Sequence, residues 1–251
     1  MSPWTVVFLA GAGVLAGIFG SVGGLASLAS YPALLLAGLP PTAANVTNSV
    51  ALVATTVGAA AGSGPELRGQ GRRIGRLSVV SAVGGTAGAI LLLTLPPGVF
   101  ELVVPWLIAG ASVVLLLGPR LRRPTDGDHR HASVGVFFIA VYSGYFGAAA
   151  GVLMLALLSA ISTQSLARTN AAKTLITGAS NAVAAVIFAV GGPVHWVAAL
   201  ALAAGSLAGG WLGPAVVRRL PERPLRIGIA CAGLVLAAKL AVDAFRSGSW
   251  G

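Results

Sequence analysis

The chain has 251 residues, of which 56% are hydrophobic and a further 35 are glycine, while only 9% are charged, against roughly a quarter in an ordinary soluble domain. With a mean hydropathy of +0.90, so few polar groups cannot cover a folded surface, and most of that surface must face a lipid bilayer. The net charge of +10 does not signal nucleic acid, because the arginines lie in short clusters between apolar runs, and the single Cys231 excludes an intrachain disulfide.

In chain order, glycine and proline clusters cut the apolar runs into helix-sized pieces. The start lacks the basic region of a cleaved signal peptide, so the first apolar stretch is expected to stay in the mature protein. The pattern predicts helices over about 3–19, 25–37, 42–62, 76–95 and 99–118 in the first half. A hydrophilic segment, 119–132, separates them from helices over about 133–147, 151–161, 168–190, 195–216 and 225–244. The expected organisation is a first membrane repeat over 1–118, a linker over 119–132 and a second repeat over 133–251.

The halves echo one another. Gly17-Ile18-Phe19-Gly20 returns as Gly144-Tyr145-Phe146-Gly147, and Thr47-Asn48 as Thr169-Asn170. Gly84 and Gly88 return as Gly205 and Gly209, and Leu95-Pro96 as Leu220-Pro221. Each half has two short helices joined by a glycine-rich break, then three full spans. Whether the short pair is re-entrant or fully spanning, it returns the chain to its starting side, leaving an odd number of crossings and two inverted halves. In that arrangement the loops 63–77, 119–132, 161–173 and 214–226 share one side and hold 14 of the 16 basic residues, the bias expected of cytoplasmic loops. A single kinked span over 133–161 would instead split the arginine clusters between the two sides. The predicted fold is therefore an all-α polytopic membrane protein of two inverted-topology repeats.

Broken helices at corresponding places in inverted halves point to a transporter's midplane site, because unpaired backbone is tolerated at membrane depth only beside protein or a water-filled cavity. Helix N-termini at such breaks favour anions. The glycines could equally serve close helix packing alone. Polar side chains inside the spans mark the candidate binding residues: Asn45, Thr47 and Asn48 in the third helix, Thr169, Asn170, Lys173 and Asn181 in its counterpart, with Gly23, Gly24 and Gly151 at the breaks. Asn48 and Asn170 form the leading pair, presenting amide donors from both halves to one anion. Lys173 would either add positive charge or snorkel to the interface. Asn181 could equally make a helix–helix hydrogen bond. No carboxylate falls in the middle of a span, which leaves His195 as the candidate for proton coupling, or as an interfacial residue beside Trp196. Paired carboxylates, H-E-x-x-H and Cys/His catalytic arrangements are missing from the sequence, so neither an enzyme nor a metal or other cofactor is expected.

The run Ala16-Gly17-Ile18-Phe19-Gly20-Ser21-Val22-Gly23-Gly24, then Pro32, Gly38-Leu39-Pro40-Pro41, Ala43 and Ala44-Asn45-Val46-Thr47-Asn48, resembles the TauE/SafE sulfite-exporter family of small bacterial permeases. Ala167-Arg168-Thr169-Asn170, Lys173 and Gly192-Pro193-Val194-His195-Trp196 look like the same motif set repeated. Where the family shows a G-x-G-G-G element, this chain has Ser21-Val22-Gly23-Gly24 and Ala148-Ala149-Ala150-Gly151. The resemblance implies secondary transport of small anions, such as sulfite or sulfoacetate-like sulfonates, by alternating access, with protons as a coupling ion. It also implies a multi-pass protein of the bacterial cytoplasmic membrane, with arginine-rich loops inside and a homo-oligomer left open. The alternative is a passive anion channel, or a membrane subunit without transport of its own.

Overall fold

The computed structural model describes residues 1–121, 129–162, 164–217, 227, 231, 234–235 and 237–242. Among them the secondary structure is helical: α1 (Pro3–Gly23), α2 (Ala26–Leu36), α3 (Pro41–Gly62), α4 (Gly64–Leu67), α5 (Gly71–Thr94), α6 (Pro97–Leu121), α7 (His129–Tyr145), α8 (Ala150–Ala160), α9 (Leu166–Gly191) and α10 (Trp196–Val217). Four of these, α1, α5, α9 and α10, are long and apolar enough to cross a membrane, and α2 and α8 are shorter apolar helices. The exterior is apolar as well: Trp4 is 82% exposed, and Leu36, Val190 and Trp211 also face outward. In water this would be an aggregating surface; in lipid it is the favourable one. This is an all-helical, polytopic membrane protein.

Two departures from the sequence pattern have a local cause. The arginine segment after α3 is helical sooner than expected: α5 starts at Gly71, so Arg72, Arg73 and Arg76 ride its first turns, where straight-chain arginine is a good helix former. A one-turn helix, α4, begins at Gly64 with Pro65 next, the favoured place for proline at a helix start. Half of the expected helix over 225–244 and the core of the linker, 122–128, lie outside the described residues.

Lipid offers no hydrophobic drive for helix association, so close backbone approach does the work. A Cβ at Gly205 would run into the Ala10 carbonyl, and one at Gly209 into that of Val14, so α10 lies backbone to backbone on α1. The same pattern recurs where Gly84 and Gly88 of α5 meet the carbonyls of Phe137 and Val141 on α7. Helix partners exchange accordingly: α1 and α3 pack on α10, while α7 and α9 pack on α5, and α3 and α9 meet between them. The repeated glycine pairs of the sequence thus make equivalent contacts in the two halves.

Candidate functional site

The two breaks create the site because a helix end leaves carbonyls and N–H groups without intrahelical partners. α1 ends in a left-handed Gly24 (φ 76), whose N–H donates to the Gly20 carbonyl at 2.8 Å, while the Leu25 N–H donates to that of Phe19 at 3.3 Å. α7 ends at Tyr145, and Gly147 takes the same φ of 76. Gly24 and Gly151 meet with no room for a Cβ on either, so the breaks from the two halves touch.

At each break a carbonyl is bound by an asparagine from the central helix of the other half, joined by Lys173 at the first break and by Tyr142 of α7 itself at the second. On the first break, Asn170 Nδ2 donates to the Ser21 carbonyl at 2.8 Å and Lys173 Nζ to the Gly20 carbonyl at 3.2 Å. On the second, Asn45 Nδ2 donates to the Tyr145 carbonyl at 2.8 Å, and the Tyr142 hydroxyl to that of Ala148 at 2.7 Å. These bonds meet the requirement that backbone polar groups in lipid be satisfied within the protein.

Between the breaks lies a cavity of about 60 Å³, several times the roughly 10–15 Å³ that one water requires. Its wall draws on both halves: Gly20, Gly24, Ala26, Ser27, Thr55 and Thr56 from the first, and Ser143, Gly151, Lys173, Thr174, Thr177 and Asn181 from the second. The first residues of α2 (Ala26, Ser27) and of α8 (Ala150, Gly151) stand in that wall, so two helix N-termini bring partial positive charge to one space. Lys173, 1% exposed, lines the same wall. Thr55 Oγ1 is buried without a hydrogen-bond partner, and the Ser143 hydroxyl donates to Asn181 Oδ1 at 3.1 Å, leaving the Asn181 amide N–H groups as donors. Donors and positive charge dominate, which is the chemistry of an anion site.

Of the residues singled out in the sequence, Lys173, Asn181, Gly24 and Gly151 line this cavity. Asn48 stands behind it: its Nδ2 donates to Ser27 Oγ at 3.2 Å and its Oδ1 accepts from the Ser30 hydroxyl, so it orients a wall residue. Asn170 opens instead onto a neighbouring space, so Asn48 and Asn170 do not converge on one point. Asn45 caps the end of α7. Thr47 Oγ1 accepts from the His195 backbone N–H at 3.0 Å, far along the chain from the breaks, and Thr169 bonds back to the Ser165 carbonyl in its own helix. Gly23 is the last residue of α1. His195 is exposed, and its Nδ1 accepts from the Ala198 N–H at the start of α10, the work of a helix cap. Lys173 does not snorkel; its Nζ ends at the Gly20 carbonyl. Sequence reasoning missed Ser27, Thr55, Thr177 and Ser143. Thr55 and Thr177 carry a signal that was available, since they repeat at the same interval of 122 as Thr47 and Thr169.

A second cavity of about 100 Å³ adjoins the first through Thr174 and is lined by Ser21, Ser63, Glu66, Ala167, Asn170 and Pro214. It lies toward the arginine-rich end, where the Arg168 guanidinium donates to the Arg68 carbonyl at 2.8 Å and Gln70 Nε2 to the Glu66 carbonyl at 2.8 Å. Among the described residues no group of three or more His, Cys, Asp and Glu gathers as a metal site.

An apolar exterior around a polar cavity built on two interrupted helices defines the class: a polytopic membrane transporter. The family model of the sulfite exporter TauE/SafE matches residues 9–240. The chain belongs to the TauE/SafE family. It is 26% identical over 256 residues to the "Probable membrane transporter protein YfcA" of Escherichia coli (strain K12), covering 97% of this chain and 92% of the relative. A "Probable membrane transporter protein" of Haemophilus influenzae is 25% identical over 241 residues, covering 92% of each, and "Probable membrane transporter protein ORF9" of Sinorhizobium sp is 24% identical over 255 residues, covering 95% and 93%. No solved structure matches the chain.

Proposed function

We propose that this transporter moves small anions of the sulfite or sulfonate type across the bacterial cytoplasmic membrane by alternating access, with the arginine-rich loops on the cytoplasmic side. The observation that carries the reading is the buried Lys173 in one small cavity with the N-termini of α2 and α8. Positive charge from Lys173 and from two helix N-termini on one cavity wall favours an anion there. The family's description as sulfite exporters supports the choice of sulfur oxyanions. A pair of inverted repeats supplies the rocking motion, and the exchange of helix partners between halves supports that arrangement.

The test is flux. Purified protein in liposomes should accumulate labelled sulfite or sulfoacetate above protein-free vesicles, with saturation and with acceleration by unlabelled anion on the far side. Saturable exchange of that kind separates a carrier from a passive channel. No flux above background for any small anion would retire the proposal.

A further inference from the structure

Glu66 sits in the one-turn helix that follows α3, and its side chain lines the second cavity together with Ser63, Asn170 and Thr174. Two acceptor oxygens in this wall are buried and have no hydrogen-bond donor, Glu66 Oε2 and Asn170 Oδ1. Asn170 is fixed in that sense, because its Nδ2 is spent on the Ser21 carbonyl and its oxygen is the atom left over. The hydroxyl of Ser21, also in the wall, points its proton away, toward the carbonyls of Gly17 and Gly210. Two unmatched acceptor oxygens in one wall invite a positive species.

Among the described residues, these charges stand near Glu66. α9 brings Arg168, whose guanidinium is held by the Arg68 carbonyl, and Lys173, whose Nζ donates to the Gly20 carbonyl; Arg68 itself is exposed in the adjoining loop. α1, α3 and α10 contribute no titratable side chain over their described ranges. Thr174 stands in the walls of both cavities, so the Glu66 cavity neighbours the central one.

On the transport reading above, we propose that Glu66 is the coupling site: a small monovalent cation, H+ or Na+, taken up at the Glu66 and Asn170 oxygens neutralises this vestibule and moves with the anion. Anion and cation then favour one another's binding, and by linkage the effect is reciprocal. A proton adds to a carboxylate oxygen and a sodium ion is held by the oxygens; no other bond changes.

Two experiments test this and separate the two cations. In proteoliposomes, an inward proton gradient without sodium and an inward sodium gradient at equal pH are applied in turn to labelled methanesulfonate, which stays ionised throughout. One gradient should drive accumulation by the wild type. Glu66→Gln should lose about tenfold or more of that accumulation while keeping anion–anion exchange, and Glu101→Gln, on an exposed residue remote from the site, should match the wild type. Unchanged gradient-driven accumulation in Glu66→Gln would overturn the proposal. The second experiment needs no anion: the unfolding midpoint of purified protein is followed against pH without sodium, and against sodium replacing choline at fixed pH. Wild type and Glu66→Gln should diverge in one of the two titrations, with Glu66→Asp following the wild type and so distinguishing loss of charge from loss of fold. Coincident curves in both would refute a cation site at Glu66 whatever the flux result, whereas diverging curves with no anion flux would refute the transport reading alone.

Discussion

The two helix breaks do the same job with different sequences. At the first, only Gly24 and Leu25 separate α1 from α2; at the second, residues 146–149 separate α7 from α8. Relative to the glycine contacts they share, α7 stops about one turn before α1 does: Gly147, which aligns with Gly20 by motif, adopts the left-handed turn that Gly24 makes in the first half. The extra turn of chain is filled by Ala148 and by Ala149, itself left-handed at φ 56. The central helices differ in kind as well. α9 places Lys173 in the cavity, and at the repeat interval of 122 α3 has Ala51. The two central helices are thus alike in position and unlike in charge: α9 brings a lysine to the cavity and α3 does not.

The sharpest way to break the comparison is to remove the charge. Lys173→Met should lower anion affinity and flux roughly 30- to 100-fold, the scale of a lost hydrogen bond to a charged group, as measured by binding to purified protein and by liposome uptake. Ala51→Lys in a Lys173→Ala background asks whether the first half can carry the charge instead, and should restore part of the loss. Next in size is the contact between the breaks. Gly24→Ala must hold a left-handed backbone and push a Cβ into Gly151, so it should cost about 3 kcal/mol in a detergent unfolding titration. Gly11→Ala, where a Cβ meets nothing within 4 Å, should stay within about 0.5 kcal/mol of the wild type. A smaller effect is expected at Asn48→Ala, which frees Ser27 and Ser30 without touching the cavity wall itself; affinity should fall about fivefold with the unfolding midpoint little changed. Smallest, and opposite in sign, is Ala149→Gly. Relief of a left-handed alanine should outweigh the entropy glycine loses and raise stability by about 0.5 to 1 kcal/mol, bringing the second break closer to the first.

Much of the architecture was legible in the sequence because lipid imposes simple rules. Apolar runs of span length, glycine pairs for close packing and breaks at matching places marked the helices to within a few residues, and the Gly84/Gly88 and Gly205/Gly209 pairs proved to be the contact points. The polar residues were legible as a set but not as individuals. The sequence marked Asn45 and Asn170 as polar residues at the breaks, but that their amides donate to carbonyls of the opposite half emerges only once the two halves are docked. His195 drew notice as a titratable group, and its imidazole caps α10. Thr55 and Ser143 went unremarked because hydroxyls in spans usually bond back to their own helix, as Thr169 does.

The amino-acid order by itself determined the solvent, the helices and the duplication, since these depend on local composition and on a spacing that can be counted along the chain. Which polar groups face a shared space and which are consumed in holding the breaks together was decided by tertiary packing. The Ser21 and Tyr145 carbonyls take asparagine donors from the other half, a pairing that exists only once the halves are docked.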